Sequence, residues 1–191
     1  MMQALLADRF KLAVHFESRE GAVFALTLVR PGQTGPKLRP HAEGPACPDF
    51  EMPAPFAPIP PRKAGDVFPP VCADNAQLQG TLDGTLLGSR NTTMGLIADD
   101  ISAYGSLAAE VDKPVVDQTG LKGKFDFTLE LPPRFFNFFP AAPPNPDNPP
   151  PDPQGTSFLK AVREQLGLRL VPSKSAIRTL IIDHVERPSE N

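Results

Sequence analysis

Few side chains in this 191-residue chain could do chemistry, and most of them are badly spaced for it. Histidines stand at His15, His41 and His184, and the two cysteines are Cys47 and Cys72. A zinc site announces itself through short Cys or His spacings, and these five residues share none, so no metal ligands are read from them. No Gly-x-Ser-x-Gly elbow is present for a nucleophilic serine. The run Thr119-Gly120-Leu121-Lys122-Gly123-Lys124 has the look of a phosphate loop. Gln118, however, stands where that motif needs its first glycine, and Phe125 stands where it needs a hydroxyl for Mg²⁺. A strand pattern follows it in place of a helix N-terminus, so the run reads as a glycine-pinned hairpin turn.

Carboxylates give no pair. Val115-Val116-Asp117-Gln118-Thr119-Gly120 is close to the hydrophobic-hydrophobic-Asp-Thr-Gly of aspartic proteases, but Gln118 interrupts it. No second copy supplies the partner carboxylate that such a dyad requires. Asp117 is then an acceptor for amides of the turn that follows it. Asp99 and Asp100 are neighbours on a predicted helix, so they point in different directions and belong to a solvated face. His184 shares a strand face with Leu180 and Ile182 and reads as a half-buried core histidine, whereas His15 points outward. Asn91-Thr92-Thr93 matches a glycosylation sequon, and a helix cap explains it equally well. No catalytic residue, cofactor-binding residue or metal ligand is therefore assigned.

Two features resist this bland account. Cys47 and Cys72 are flanked by Pro45, Pro48, Pro69 and Pro70. In an oxidising compartment they are disulfide candidates, and in the cytosol they are not. A bridge would close a loop of about 26 residues and contribute about 3.5 kcal/mol on the chain-entropy model. The other feature is Phe135, Phe136, Phe138 and Phe139, four aromatics in five residues. One reading tucks them back onto the core as a loop anchor. The other leaves them exposed as a patch that docks a partner, with the turn at Asp117 as the second candidate for partner binding.

The elements that must hold these residues are legible around the prolines. The 25 prolines and 14 glycines make about a fifth of the chain, against roughly 12% in an average protein. Twelve prolines fall between Pro31 and Pro70 and ten between Pro132 and Pro153. Proline removes an amide donor and biases its predecessor away from helix, so residues 31–75 and 132–154 read as irregular insertions. The rest forms a single α+β domain, 1–191, with mainly antiparallel strands and helices on one face. Residues 124–131 alternate Phe125, Phe127, Leu129 and Leu131 with Lys124, Asp126, Thr128 and Glu130, the pattern of a half-buried strand. Residues 11–29 predict a hairpin turning at Ser18-Arg19-Glu20-Gly21. Residues 78–82 and 85–90 predict a second one, with a type I′ turn at Asp83-Gly84. Thr92 or Thr93 caps a helix presenting Met94, Ile97, Ile101 and Tyr104, and Ser157 opens another that buries Phe158, Ala161, Val162 and Leu166 and stops at Gly167. The first and last blocks share a helix–strand–turn–strand order with Ala4, Leu5, Phe10 and Leu12 matching Ala161, Val162, Leu168 and Leu170, a weak αββ repeat. An opening straight into a helix predicts a β-α element upstream.

MMQALLADRFKLAVHFESRE, NTTMGLIADDIS, KPVVDQTGLKGKFDFTLEL, FLKAVREQLGLRLVPSK and IIDHVERPSEN together resemble a soil-associated family of uncharacterised proteins expanded in acidobacteria. The resemblance rests chiefly on the Val-Asp-x-Thr-Gly-Leu-x-Gly-x-x-Asp-Phe core and the Asp-His-Val-Glu-x-Pro ending. Members begin further upstream, with a signal peptide and a further β-α segment that this chain lacks, so a longer native chain is expected. In some relatives the domain follows a membrane metallopeptidase of the beta-lactam-sensor type, which implies a periplasmic or secreted sensory or binding role. The order of elements is also similar in pattern to the short N-terminal signalling domain of secretins and TonB-dependent receptors. The family supplies no catalytic residues to carry over.

Composition narrows the partners. A net charge of −3 and a pI near 5.6 argue against a sequence-independent grip on nucleic acid. No apolar run approaches the roughly 20 residues of a membrane span. The expectation is a non-enzymatic binding or sensor module of the bacterial cell envelope that takes an envelope protein or a small ligand. The alternatives are a hydrolase-like enzyme with Asp117 or His184 as base, and a structural or adhesive envelope protein.

Overall fold

The structure, a computed structural model, describes residues 2–41, 47, 68–69, 72, 75–80, 84–132, 135 and 157–187. The elements run α1 (Met2–Phe10), β1 (Ala13–Leu28), β2 (Leu38–Pro40), β3 (Gln77–Gly80), β4 (Thr85–Thr92), α2 (Met94–Leu107), β5 (Val115–Asp117), β6 (Phe125–Leu131), α3 (Phe158–Ala161) and β7 (Leu168–His184). Helix α3 continues into a π-helical stretch, Val162–Leu166. The fold is α+β, with sheet orders β5-β1-β7 and β2-β6-β4-β3. Contacts divide the chain into two units, Met1–Val23 with Ser173–Asn191, and Phe24–Pro172.

In the larger unit, β6 is the central element. Phe125, Phe127, Leu129 and Leu131 are all buried, so the alternation in the sequence is the alternation in the fold. It pairs antiparallel with β4, from Thr85 opposite Leu131 to Thr92 opposite Phe125, and with β2, from Leu38 opposite Phe127 to Pro40 opposite Phe125. Leu87 of β4, Ile97 and Ile101 of α2, and Phe158, Val162 and Leu166 of the last helical segment join the same buried cluster. Each such side chain stabilises the fold by roughly 1.5–3 kcal/mol. Thr93 caps α2 by accepting from the Leu96 amide at 3.3 Å, and Ser157 caps α3 by accepting from the Lys160 amide at 3.1 Å. Glu110 adds its carboxylate to that second cap, accepting from the amides of Phe158 and Leu159. Gly167 ends the segment at φ +69°, and Gly35 and Gly167 approach so closely that a side chain on either would strike the other's main chain. Where β2 stops short of Glu130, the Gln165 side chain takes over. Its oxygen accepts from the Glu130 amide at 2.9 Å, and its nitrogen donates to the Glu130 carbonyl at 2.8 Å.

Three expectations are corrected here. Residues 13–28 form one strand and residues 168–184 another, so the predicted hairpins of the first and last blocks are straight and each block runs from helix into a single long strand. In the smaller unit these two strands run antiparallel, with His15 meeting Asp183 and Glu20 meeting Lys174. Gly21 marks a close cross-strand approach, where an added Cβ would run into the Ile177 side chain, and is not a turn residue. Pro172 is tolerated because β7 is an edge strand. The first proline-rich stretch also contributes β2, again an edge strand, which ends on Pro40. Finally, β5 pairs in parallel with β1, Phe24 opposite Val115 and Leu26 opposite Asp117, while β6 lies in the other sheet. The glycine-rich turn between them therefore links two sheets and is not a hairpin.

The hairpin of β3 and β4 is present, with Gly80 opposite Thr85. Four residues, 81–84, connect the strands in place of the expected two-residue turn, and 81–83 lie outside the described residues.

Candidate functional site

The residues that come together for chemistry are ones that linear spacing kept apart. His41 directly follows β2, and its amide donates to the Lys124 carbonyl at 2.9 Å, which extends the β2–β6 pairing by one residue. That register sets the imidazole beside Asp126, on the face of β6 opposite the core. His41 Nδ1 lies 2.7 Å from Asp126 Oδ1. The same carboxylate oxygen accepts from the Asn91 amide at 2.8 Å. Asn91 sits where the β4–β6 register shifts between Ser89 and Thr92, and its φ is +57°, a left-handed conformation that asparagine tolerates better than most residues. The bulge turns that amide out of the ladder and toward Asp126.

A carboxylate only accepts, so Nδ1 carries the proton that faces Asp126. Nε2 lies 3.3 Å from Cys47 Sγ. Cys47 is bonded to Cys72, with 5.3 Å between their Cα atoms. His41 Nε2 and the two sulfurs all lie within 4.8 Å of one another, and all three residues are half-buried. His41 thus meets both cysteines in space, although the three share no metal-ligand spacing in the sequence. Sequence reasoning missed His41, Asn91 and Asp126. The available signals were a histidine six residues before Cys47 and an acid on the outward face of the most secure strand.

The other candidates disperse. Asp117 Oδ1 accepts from the Thr119 amide at 2.9 Å and the Thr119 hydroxyl at 2.7 Å, and Thr119 in turn accepts from the Leu121 amide. This is the predicted turn acceptor, with Oδ1 taken up by the turn. Phe135 packs, partly buried, against the core cluster, while Phe136, Phe138 and Phe139 lie outside the described residues. His184 is corrected from half-buried to exposed, with 55% of its side chain open and Glu186 at 2.8 Å. His15 points outward as expected, hydrogen bonded to Asp183 at 2.8 Å and Glu17 at 3.1 Å, and these partners raise its pKa, Asp183 the more. Asp100 is also corrected. It is 8% exposed, and both its oxygens accept from the Ala76 amide, at 3.1 and 3.2 Å. Loss of water pushes its pKa up to about 6. Asp99 beside it is the solvated one.

Fold and site together define an α+β fold with two sheets and a disulfide-centred Asp–His–Cys cluster on the outer face of the larger sheet. The model of the family described as "Protein of unknown function (DUF3738)" matches residues 1–185, and the chain belongs to that family. No curated protein and no solved structure matches it. Among the described residues no helix is long and apolar enough to cross a membrane.

Proposed function

We propose that this chain is a non-enzymatic binding or sensor module of the cell envelope of a soil acidobacterium, and that its partner docks on the ribbon formed by β1 and β7 in the smaller unit. One observation carries the reading. With His15 opposite Asp183, the odd-numbered residues share one face of that ribbon and the even-numbered residues the other. The even face holds Val14, Phe16, Leu180 and Ile182, all between 40% and 59% exposed. Arg178 lies over the Phe16 ring, 3.7 Å from its centre. Apolar side chains gathered on one open face, with a cation at the rim, are the composition of a docking surface. The periplasmic or secreted setting is supported by the Cys47–Cys72 bridge, which persists where thiols are oxidised.

The test is a photo-crosslinking amino acid at Phe16 or Leu180 in the native host, with Lys122 as the control position. A discrete envelope protein captured from positions 16 and 180, and lost with Ile182→Asp in a chain of unchanged circular dichroism, is the expected result. Equal crosslinking at all three positions, or recovery of the protein in the cytosol with both thiols free, would overturn the reading.

A further inference from the structure

The cluster at Cys47 has a second chemical state. We propose that, when the Cys47–Cys72 bridge is reduced, His41 Nε2, Cys47 Sγ and Cys72 Sγ bind one zinc ion, with Asp126 as the residue that orients the imidazole. All its residues belong to the larger unit.

Geometry points to zinc. In a tetrahedral site with Zn–N near 2.0 Å and Zn–S near 2.3 Å, a nitrogen and a sulfur ligand stand about 3.5 Å apart and two sulfurs about 3.8 Å apart. The observed Nε2–Sγ separation is 3.3 Å, and the three donor atoms span no more than 4.8 Å. Only the sulfurs must separate, and cysteines whose Cα atoms are 5.3 Å apart reach that edge by side-chain rotation. A zinc-bound histidine characteristically donates its other N–H to a carboxylate, which fixes the tautomer and leaves the lone pair toward the metal. Asp126 does this at 2.7 Å, and the Asn91 amide holds Asp126 in turn. Two thiolates neutralise the ion's charge, which suits a half-buried place. Three protein ligands leave one position for water or a further ligand.

The conversion balances. A dithiol attacks the bridge, forms its own disulfide and delivers two electrons and two protons, leaving Cys47 and Cys72 as thiols. Zinc then displaces both thiol protons to solvent, while the neutral imidazole contributes its lone pair and loses nothing.

The experiment uses the full chain, reduced by dithiothreitol that is then removed by anaerobic gel filtration, and titrated with Zn²⁺ against a chromophoric chelator. One equivalent of tightly held zinc in the reduced chain and none in the oxidised chain is expected. His41→Asn should weaken binding at least tenfold, and Asp126→Asn by about 10–100-fold. Co²⁺ in place of zinc should give thiolate charge-transfer absorption with tetrahedral intensity in the wild-type chain, and Cys72→Ser should diminish it. Zinc uptake that ignores the redox state, a reduced chain that takes none, or His41→Asn at wild-type affinity would overturn the proposal. A reduced chain that is unfolded by circular dichroism and stays so with zinc would overturn it too.

Discussion

Asp100 makes the stability of this fold depend on pH in a direction opposite to that of most carboxylates. Buried on α2 with the Ala76 amide as its donor, it pays for desolvation, and its pKa rises from the ordinary 3.8 to about 6; the charge of Asp99 adds to the rise. Between those two values the folded chain holds this proton and the unfolded chain has released it. Stability from this group therefore falls as pH climbs from 3.8 to 6 and is level above. Two pH units at about 1.36 kcal/mol each bound the effect near 3 kcal/mol. With a urea slope of about 2 kcal/mol per molar, that is a midpoint shift of about 1.5 M. Asp100→Asn keeps an oxygen for the Ala76 amide and removes the charge. Its amide hydrogens need partners of their own, so the net gain at pH 7 should be about 1–2 kcal/mol. Other carboxylates titrate in the same range, so the informative quantity is the difference between the two proteins, followed by circular dichroism in urea with the disulfide intact. The variant should be the more stable at pH 7, and its advantage should vanish by pH 4. Parallel pH profiles, or a variant less stable at pH 7, would refute the argument.

Three further outcomes follow from contacts in the fold. Replacing both Cys47 and Cys72 by serine should cost about 3.5 kcal/mol in urea unfolding, the chain-entropy value for their loop, and a loss below about 1 kcal/mol would mean the unfolded chain is already restrained there. Gln165→Ala strands the main chain of Glu130 and should cost about 1–3 kcal/mol, with faster hydrogen exchange at the Glu130 amide as its local sign. His15 should titrate above the ordinary 6.5 by NMR, and Asp183→Asn should bring it down. Because the folded value is raised, that pair's support is full below pH 6.5 and is lost as pH rises past the histidine's own midpoint. An unmoved His15 midpoint in the variant would show that the hydrogen bond is not formed in solution.

What could be read in advance was what is local. The period of β6, the caps at Thr93 and Ser157 and the stop at Gly167 each involve residues a few positions apart, and each is present in the fold. The misread hairpins failed for a complementary reason. Ser18 to Gly21 and Pro172 to Ser175 carry turn chemistry, but β1 and β7 find each other across more than a hundred residues, and that pairing overrides the local signal. Asp100 was misread because nothing local to α2 shows that Ala76 will lie against it. His41 and Asp126 are 85 residues apart, and only the β2–β6 register joins them.

The position of the cluster decides what reducing it would do. The chain leaves β2 at one edge of the four-stranded sheet and re-enters at β3 on the opposite edge. Of the residues between them, Phe68 and Pro69 lie on the face of β4 and β6 that turns away from the core. Phe68 is buried there, its ring close to Gly88 and its carbonyl near the Thr128 hydroxyl, and the Pro69 carbonyl accepts from Arg90. Phe68 beside Thr128 and His41 beside Asp126 leave these two half-buried, while Glu130, further along the same face, is exposed. The Cys47–Cys72 bridge stands beside His41, whose imidazole Asp126 holds. The apolar side chains that hold the unit together lie on the other face of the same strands. Opening the bridge breaks a covalent tie on the outer face, and neither cysteine belongs to the buried cluster. A reduced state that keeps its sheet, with two thiols and an oriented imidazole gathered on its outer face, is the state the zinc proposal requires.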